Sequence, residues 1–195
     1  MPVAFLSPTR HDKGMILTRD FYMGPPIDVA RNLLGCFLCC QTDDGHIIRA
    51  RIAEVELYHA CERGCHAFGN KCTSRNDAMF MGGGHAYVYL CYGLHNMFNV
   101  VIGDTGMAAA VLVRAVEYDG CDGPGKLTRR LNITRDLNKW DLTQAQKLWI
   151  ESATDTPKIA VGTRIGIDYA GDDAQLPWRF AIEDSCYLSR PMNKS

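Results

Sequence analysis

The sequence predicts an α+β domain, a single compact unit whose sheet is mainly antiparallel. Three observations lead there. Strand-like runs succeed one another across short turn signals such as "TDDG" (42–45), Gly93 and "DTG" (104–106). Helical patterns are few and fall between groups of strands, where a βαβ array would alternate with them. And 195 residues, 47% of them hydrophobic, supply one core without a disordered composition.

In chain order, residues 1–16 read as a flexible arm ahead of a single domain over 17–195. "PPIDVARNLLG" (25–35) predicts a short helix: the proline pair suits its first turn, Ile27, Ala30, Leu33 and Leu34 share a stripe, and Gly35 stops it. "CFLCCQ" reads as a buried strand, and the Asp-Gly turn after it leads into a long strand over 46–58. Residues 59–77 are too polar and irregular for one element. "HAYVYLCY" (85–92) and "LHNMFNVVI" (94–102) predict a hairpin, and "MAAAVLVRAVEY" (107–118) a central strand. Beyond "DGCDGPG" a basic helix is expected at "KLTRRLNI" and a second near 143–152, capped by Asp141 or Thr143. Two last strands are expected at "TRIGIDYA" and "PWRFAIED".

A net charge of -1 gives no global attraction to a polyanion, so a nucleic-acid partner would have to be met by a local basic patch. Nine cysteines are an odd number for a fully paired framework, and no run approaches the ~20 apolar residues of a membrane span. Reduced thiols in the cytoplasm or nucleus, with no membrane association, are the expectation.

"EVELY" (54–58) poses the sharpest local question. By parity Ile48, Ala50, Ile52, Glu54, Glu56 and Tyr58 share one strand face, and the apolar members of that set should point inward because Arg49 and Arg51 favour water. An inward carboxylate costs several kcal/mol unless paired or solvated in a cleft. Either Arg49, Arg51 or Arg114 pairs with the glutamates, or the strand emerges into solvent, or one carboxylate is a water-activating base at a pocket mouth. Tyr58, Tyr87, Tyr89, Tyr92, His66 and His95 crowd the neighbouring sequence. Strand packing explains most of these, but Tyr92 sits at a hairpin tip, where an aromatic serves as a wedge or stacking platform.

"GCDGPGK" (120–126) matches the spacing of a nucleotide phosphate loop. Leu127 stands where a metal-holding hydroxyl is needed, however, and Pro124 removes one cradling amide. What survives is a Gly-rich loop with Lys126, Arg129 and Arg130 suited to a backbone phosphate. Cys36, Cys39, Cys61, Cys65, His66 and Cys72 could be zinc ligands but lack paired-knuckle spacing, and free cysteine is commonly a small buried apolar residue.

Taken together, "LLGCFLCC", "RIAEVELYHA", "SRNDAMFMGGGHAYVYLCYGLHNMFNVV", "AVLVRAVE", "GPGKL", "RIGIDYAG" and "LPWRF" resemble, in order, the alkyladenine (3-methyladenine) DNA glycosylase family. The resemblance implies a curved antiparallel sheet flanked by helices, similar to the formyltransferase C-terminal domain, with no cofactor and no metal. It implies duplex DNA with damaged purines as partner, a monomer, and release of the base without strand cleavage. It places Glu56 as general base and Arg114 as the arginine that holds the attacking water, with the Ile165 main-chain carbonyl completing the water site. Tyr58, His66 and Tyr89 would contact the flipped base, Leu112 would line the pocket, Asn99 would screen guanines, and Tyr92 would fill the gap in the duplex. Phosphate contacts are expected from Arg75, Lys126 and Arg129. The spacing from Tyr58 to His66 is one residue shorter than in the mammalian form, and His95 and Asp77 stand where that form has an aromatic and an arginine. Two rivals remain: a binding module without turnover, and a zinc-dependent hydrolase.

Overall fold

The computed structural model describes residues 14–192. Thirteen residues of the expected arm lie outside these. Its last part runs beside residues 151–152, with Ile16 bridged to Glu151 and the Ser152 amide donating to Met15 at 2.8 Å.

Among the described residues, three short α-helices and eight strands form the fold: α1 (Arg19–Tyr22), α2 (Pro26–Asn32), β1 (Phe37–Gln41), β2 (Ile47–His59), β3 (Ala86–Cys91), β4 (His95–Val101), β5 (Ala109–Glu117), α3 (Pro124–Arg130), β6 (Leu148–Glu151), β7 (Ile159–Gly162) and β8 (Arg179–Ile182). All strands join one curled sheet, every pairing antiparallel, in the order β3-β4-β5-β2-β1-β6, with β7 and β8 branching from β2. The expected α+β class holds.

β2 is the organising strand. Its first half pairs with β1 (Arg51 opposite Phe37), and its second half pairs with β8 (Glu56 opposite Arg179). Where one partner gives way to the other, the ladder to β5 is irregular on both sides of Glu54, which stands opposite Ala115. The faces exchange there. Ala50 and Ile52 belong to the main core before the irregularity, whereas Val55 and Leu57 belong to it afterwards. The parity expected over 46–58 therefore fails beyond Ile52. Glu54, Glu56 and Tyr58 are not the continuation of the core face; they occupy the opposite side of the sheet.

That main core joins Leu33 and Leu34 after α2, Leu38 of β1, Phe98 of β4, Val113 of β5, Leu127 of α3 and Phe180 of β8. Each such side chain contributes about 1.5–3 kcal/mol of apolar transfer free energy when fully buried. α2 and α3 begin with proline in their first turn, as the sequence predicts for α2.

Two expected elements differ. Residues 143–152 do not form a helix. Asp141 Oδ1 accepts from the amide and hydroxyl of Thr143 in a local turn, and "LWIE" becomes β6 at the edge beside β1 with all four residues buried. The open edge of β1 offers hydrogen bonds and burial that a helix there would not. "TRIGIDYA" is not a strand either. The strand comes earlier, at β7, and Gly166 (φ +75°) turns the chain into a 3₁₀ segment over Asp168–Gln175.

Candidate active site

Register across four strands explains which side chains meet. Glu56 of β2 stands opposite Leu112 of β5, Leu112 opposite Asn99 of β4, and Asn99 opposite Tyr87 of β3. Directly opposed residues share a face, so these four form one row across the sheet. Tyr58, Tyr89 and Arg114 each lie two residues further along their own strands, on that same side. The loops after β2 and β7 bring His66 and Ile165 to it. A cleft of about 570 Å³ opens there, lined among others by Tyr58, His66, Tyr89, Leu112, Arg114 and Ile165.

Glu56 sits directly behind this lining. It is fully buried. Its Oε1 accepts the Ile165 amide at 2.7 Å, and its Oε2 accepts Arg114 Nη1 at 3.0 Å and the Tyr58 hydroxyl at 2.9 Å. All three donors belong to cleft-lining residues, so the carboxylate is one layer from the cavity. Burial is the main influence on its titration and raises its pKa above the ordinary value, with Arg114, the Ile165 amide and Tyr58 pulling the other way. Burial also opposes the charge on Arg114, but Glu56 and Glu54 outweigh that and keep it a cation. The resemblance pointed to the Ile165 carbonyl; the contact to Glu56 in this structure is made by the Ile165 amide.

The aromatic walls are fixed from behind. Tyr87 donates to or accepts from His66 Nδ1 at 2.9 Å, and the His66 and Tyr89 rings meet edge to face at 4.5 Å between centroids. His66 opens toward the cleft, yet poor solvation and the nearby Arg75 lower its pKa to about 4, so the imidazole is neutral at neutral pH. Tyr58 has the Arg164 guanidinium 4.8 Å from its ring centre. Arg164 is itself locked to Glu62 by two bonds of 2.7 and 2.9 Å, and it donates to the Leu57 carbonyl. Neither Glu62 nor Arg164 figured in the sequence reading. The only hint was the position of Arg164 beside Ile165.

Asn99 is buried in the floor row, its amide nitrogen donating to the carbonyls of Tyr87 and Met97 at 3.0 and 3.3 Å. Tyr92 stands on the rim, 91% exposed. It begins a three-residue loop in which Tyr92 (φ +49°) and Gly93 (φ +70°) both take left-handed conformations and the Leu94 amide donates to Cys91 at 3.0 Å. A large aromatic held at positive φ and almost wholly in solvent is costly for folding alone. Of the expected phosphate contacts, Arg75 lines the cleft beside Tyr89, Arg129 is exposed on α3, and Lys126 is paired with Asp122 at 2.9 Å. Pro124 of the Gly-rich loop also reaches the cleft. Cys36 and Cys39 are buried, and among the described residues no three His, Cys, Asp or Glu side chains are grouped to hold a metal ion.

A buried carboxylate thus lies behind a cleft walled by flat rings, a shape that fits a planar group. A family model described as methylpurine-DNA glycosylase matches residues 20–122 and 118–186 of the chain. A protein of Carboxydothermus hydrogenoformans is 42% identical over 195 residues, covering 90% of this chain and 100% of its own length. One of Methanocella arvoryzae is 40% identical over 194 residues, covering 90% of this chain and 96% of its own. Both carry the name "Putative 3-methyladenine DNA glycosylase". The chain belongs to the methylpurine-DNA glycosylase family, and as such it is a DNA glycosylase, a hydrolase of N-glycosyl bonds.

Proposed function

We propose that the protein rotates alkylated purines, 3-methyladenine among them, out of duplex DNA and hydrolyses the N-glycosidic bond without cutting the strand. The observation that carries this reading is the placement of Glu56. One buried carboxylate accepts three hydrogen bonds, all from residues that line an aromatic cleft.

The anomeric carbon is out of reach in a stacked duplex, so the nucleotide must leave the stack, and Tyr92 on the rim takes the vacated space. A purine methylated at N3 or N7 is cationic. The faces of Tyr58 and Tyr89 attract it by stacking and cation–π interaction, about 1–3 kcal/mol for each ring. The neutral His66 adds no repelling charge. Leu112 lies in the floor, and Asn99 beside it screens against the guanine amino group.

A cationic base leaves without acid assistance. Departure of its nitrogen from the sugar gives an oxocarbenium-like centre, and Glu56 takes a proton from the water that adds to it, with Arg114 keeping the carboxylate ionised and oriented. Displacement of the Tyr58 hydroxyl by the incoming base opens Oε2 to that water. No amine is placed for a Schiff base among the lining residues named above, which accords with base release alone. Arg75, Lys126 and Arg129 take backbone phosphates, Lys126 after leaving Asp122, so binding weakens with rising salt.

The test is incubation with methylated duplex DNA, scoring free base, abasic sites and strand breaks separately. Free methylated purine and abasic sites in equal amounts, with intact strands, are expected. Strand breaks appearing as fast as abasic sites would overturn the hydrolytic reading. Lesion binding without release would favour the binding module.

A further inference from the structure

Glu54 is the member of the glutamate pair that the reaction leaves unused, and it is fully buried. It accepts four hydrogen bonds: Arg114 Nε at 3.0 Å, Arg179 Nε at 2.8 Å, the Ser189 amide at 2.6 Å and the Ser189 hydroxyl at 2.8 Å. Ser189 Oγ also accepts from Arg114 Nε at 3.1 Å, and Arg179 Nη2 donates to the Arg190 carbonyl. In the segment after β8, Ser189 thus reaches the rear of the guanidinium whose front holds Glu56, while Arg190 holds the neighbouring Arg179. Ser189 lies past residue 186, where the match to the family model ends.

The arrangement solves a competition. Arg114 stands between two buried carboxylates, bonding Glu54 through Nε and Glu56 through Nη1. Two carboxylates sharing one guanidinium in a poorly solvated site would each draw it in, and the better placed one would win. Arg179 and the two Ser189 donors satisfy Glu54 independently. Two cations then balance two anions, and Nη1 is left for Glu56. Without the serine hydroxyl, Glu54 loses one donor and Arg114 Nε loses one acceptor, so the guanidinium swings toward Glu54.

We propose that Ser189, acting through Glu54, is a positioning residue: its latch holds the Arg114 guanidinium in the orientation that aims Nη1 at Glu56. The proposal rests on Glu56 being the base of the reaction.

The experiment compares wild type with Ser189→Ala and Ser189→Thr on methylated duplex DNA under single turnover. Lesion-DNA affinity, thermal midpoint and the pH profile of excision are measured alongside. Ser189→Ala should slow excision by about tenfold while lesion affinity stays within about twofold, because the perturbed pair is coupled to Glu56 and not to the DNA. The acid limb of the pH profile should move to higher pH, since a less well held Glu56 protonates more easily. Ser189→Thr, which keeps the hydroxyl, should restore most of the rate. Should Ser189→Ala fail to fold, Ser189→Cys keeps the volume with a weak donor and should give the same directions. A folded variant with unchanged rate and acid limb, whatever its thermal midpoint, overturns the proposal. Full activity in Glu56→Gln would instead overturn the base assignment, an outcome the Ser189 variants cannot mimic.

Discussion

Glutamine at position 56 has the shape of the protonated carboxyl and none of its charge. In the protein both Glu56 oxygens are in use, Oε1 by the Ile165 amide and Oε2 by Arg114 and Tyr58, at 2.7–3.0 Å. Glutamine offers one oxygen, so its NH₂ must face donors on one side or the other. Breaking a buried ion pair by removing one partner costs about 3–5 kcal/mol. Glu54 still holds Arg114, which places Glu56→Gln near the low end, and a domain stable by about 5–15 kcal/mol survives that. The catalytic loss is larger in relative terms. Removing a general base slows a reaction by about 10²–10⁴, which is about 2.7–5.4 kcal/mol of transition-state stabilisation. The assay is single-turnover release of methylated base from duplex DNA at saturating enzyme, with folding checked by circular dichroism and lesion binding by titration. Binding should persist while release stops. A folded Glu56→Gln variant whose rate falls less than about threefold, under 1 kcal/mol of barrier, would refute the reasoning.

Three further outcomes are expected. Because burial raises the Glu56 pKa and the deprotonated form is the reactive one, excision should fall as pH drops through a value above the ordinary glutamate pKa of about 4.3; an acid limb at or below that value would contradict the assignment. Tyr92→Ser should leave the thermal midpoint nearly unchanged, since an exposed side chain contributes within about 0.5 kcal/mol, yet weaken capture of the extruded base, read by fluorescence of a base analogue; equal capture would remove its wedge role. Glu62→Gln breaks the buried two-point pair with Arg164 and should cost about 3–5 kcal/mol in denaturant unfolding, and a loss under about 1 kcal/mol would mean Arg164 finds other partners.

Much of the molecule could be read locally. The Asp-Gly turn, the Gly93 reversal and the apolar run of β5 each carry their own signal, and all three appear where the pattern put them. What escaped depended on partners distant in sequence. The side to which Glu56 points is decided where β2 exchanges β1 for β8, and Ala115 opposite Glu54 gives no local mark of that exchange. "LWIE" became a strand because β1 had a free edge, against helix-favouring residues before it. The candidate arginine partners also sorted by tertiary geometry. Arg49 went to Glu151 and Arg51 to Asp155, while Arg114 alone of the three took the glutamates, joined at Glu54 by Arg179. Ser189 was invisible, since a serine in "YLSRP" carries no signature of its contact with a residue far back in the chain.

The concealment of Glu56 behind Tyr58 bears on the approach to DNA. A polyanion nearing this chain, whose overall charge is itself slightly negative, would be repelled by an open carboxylate at the mouth. With that anion walled in and paired with its guanidinium, the cleft turns toward phosphates a lining that includes aromatic rings and the cationic Arg75. In the proposed reaction, the group that serves as base is thereby kept from opposing the encounter that precedes it.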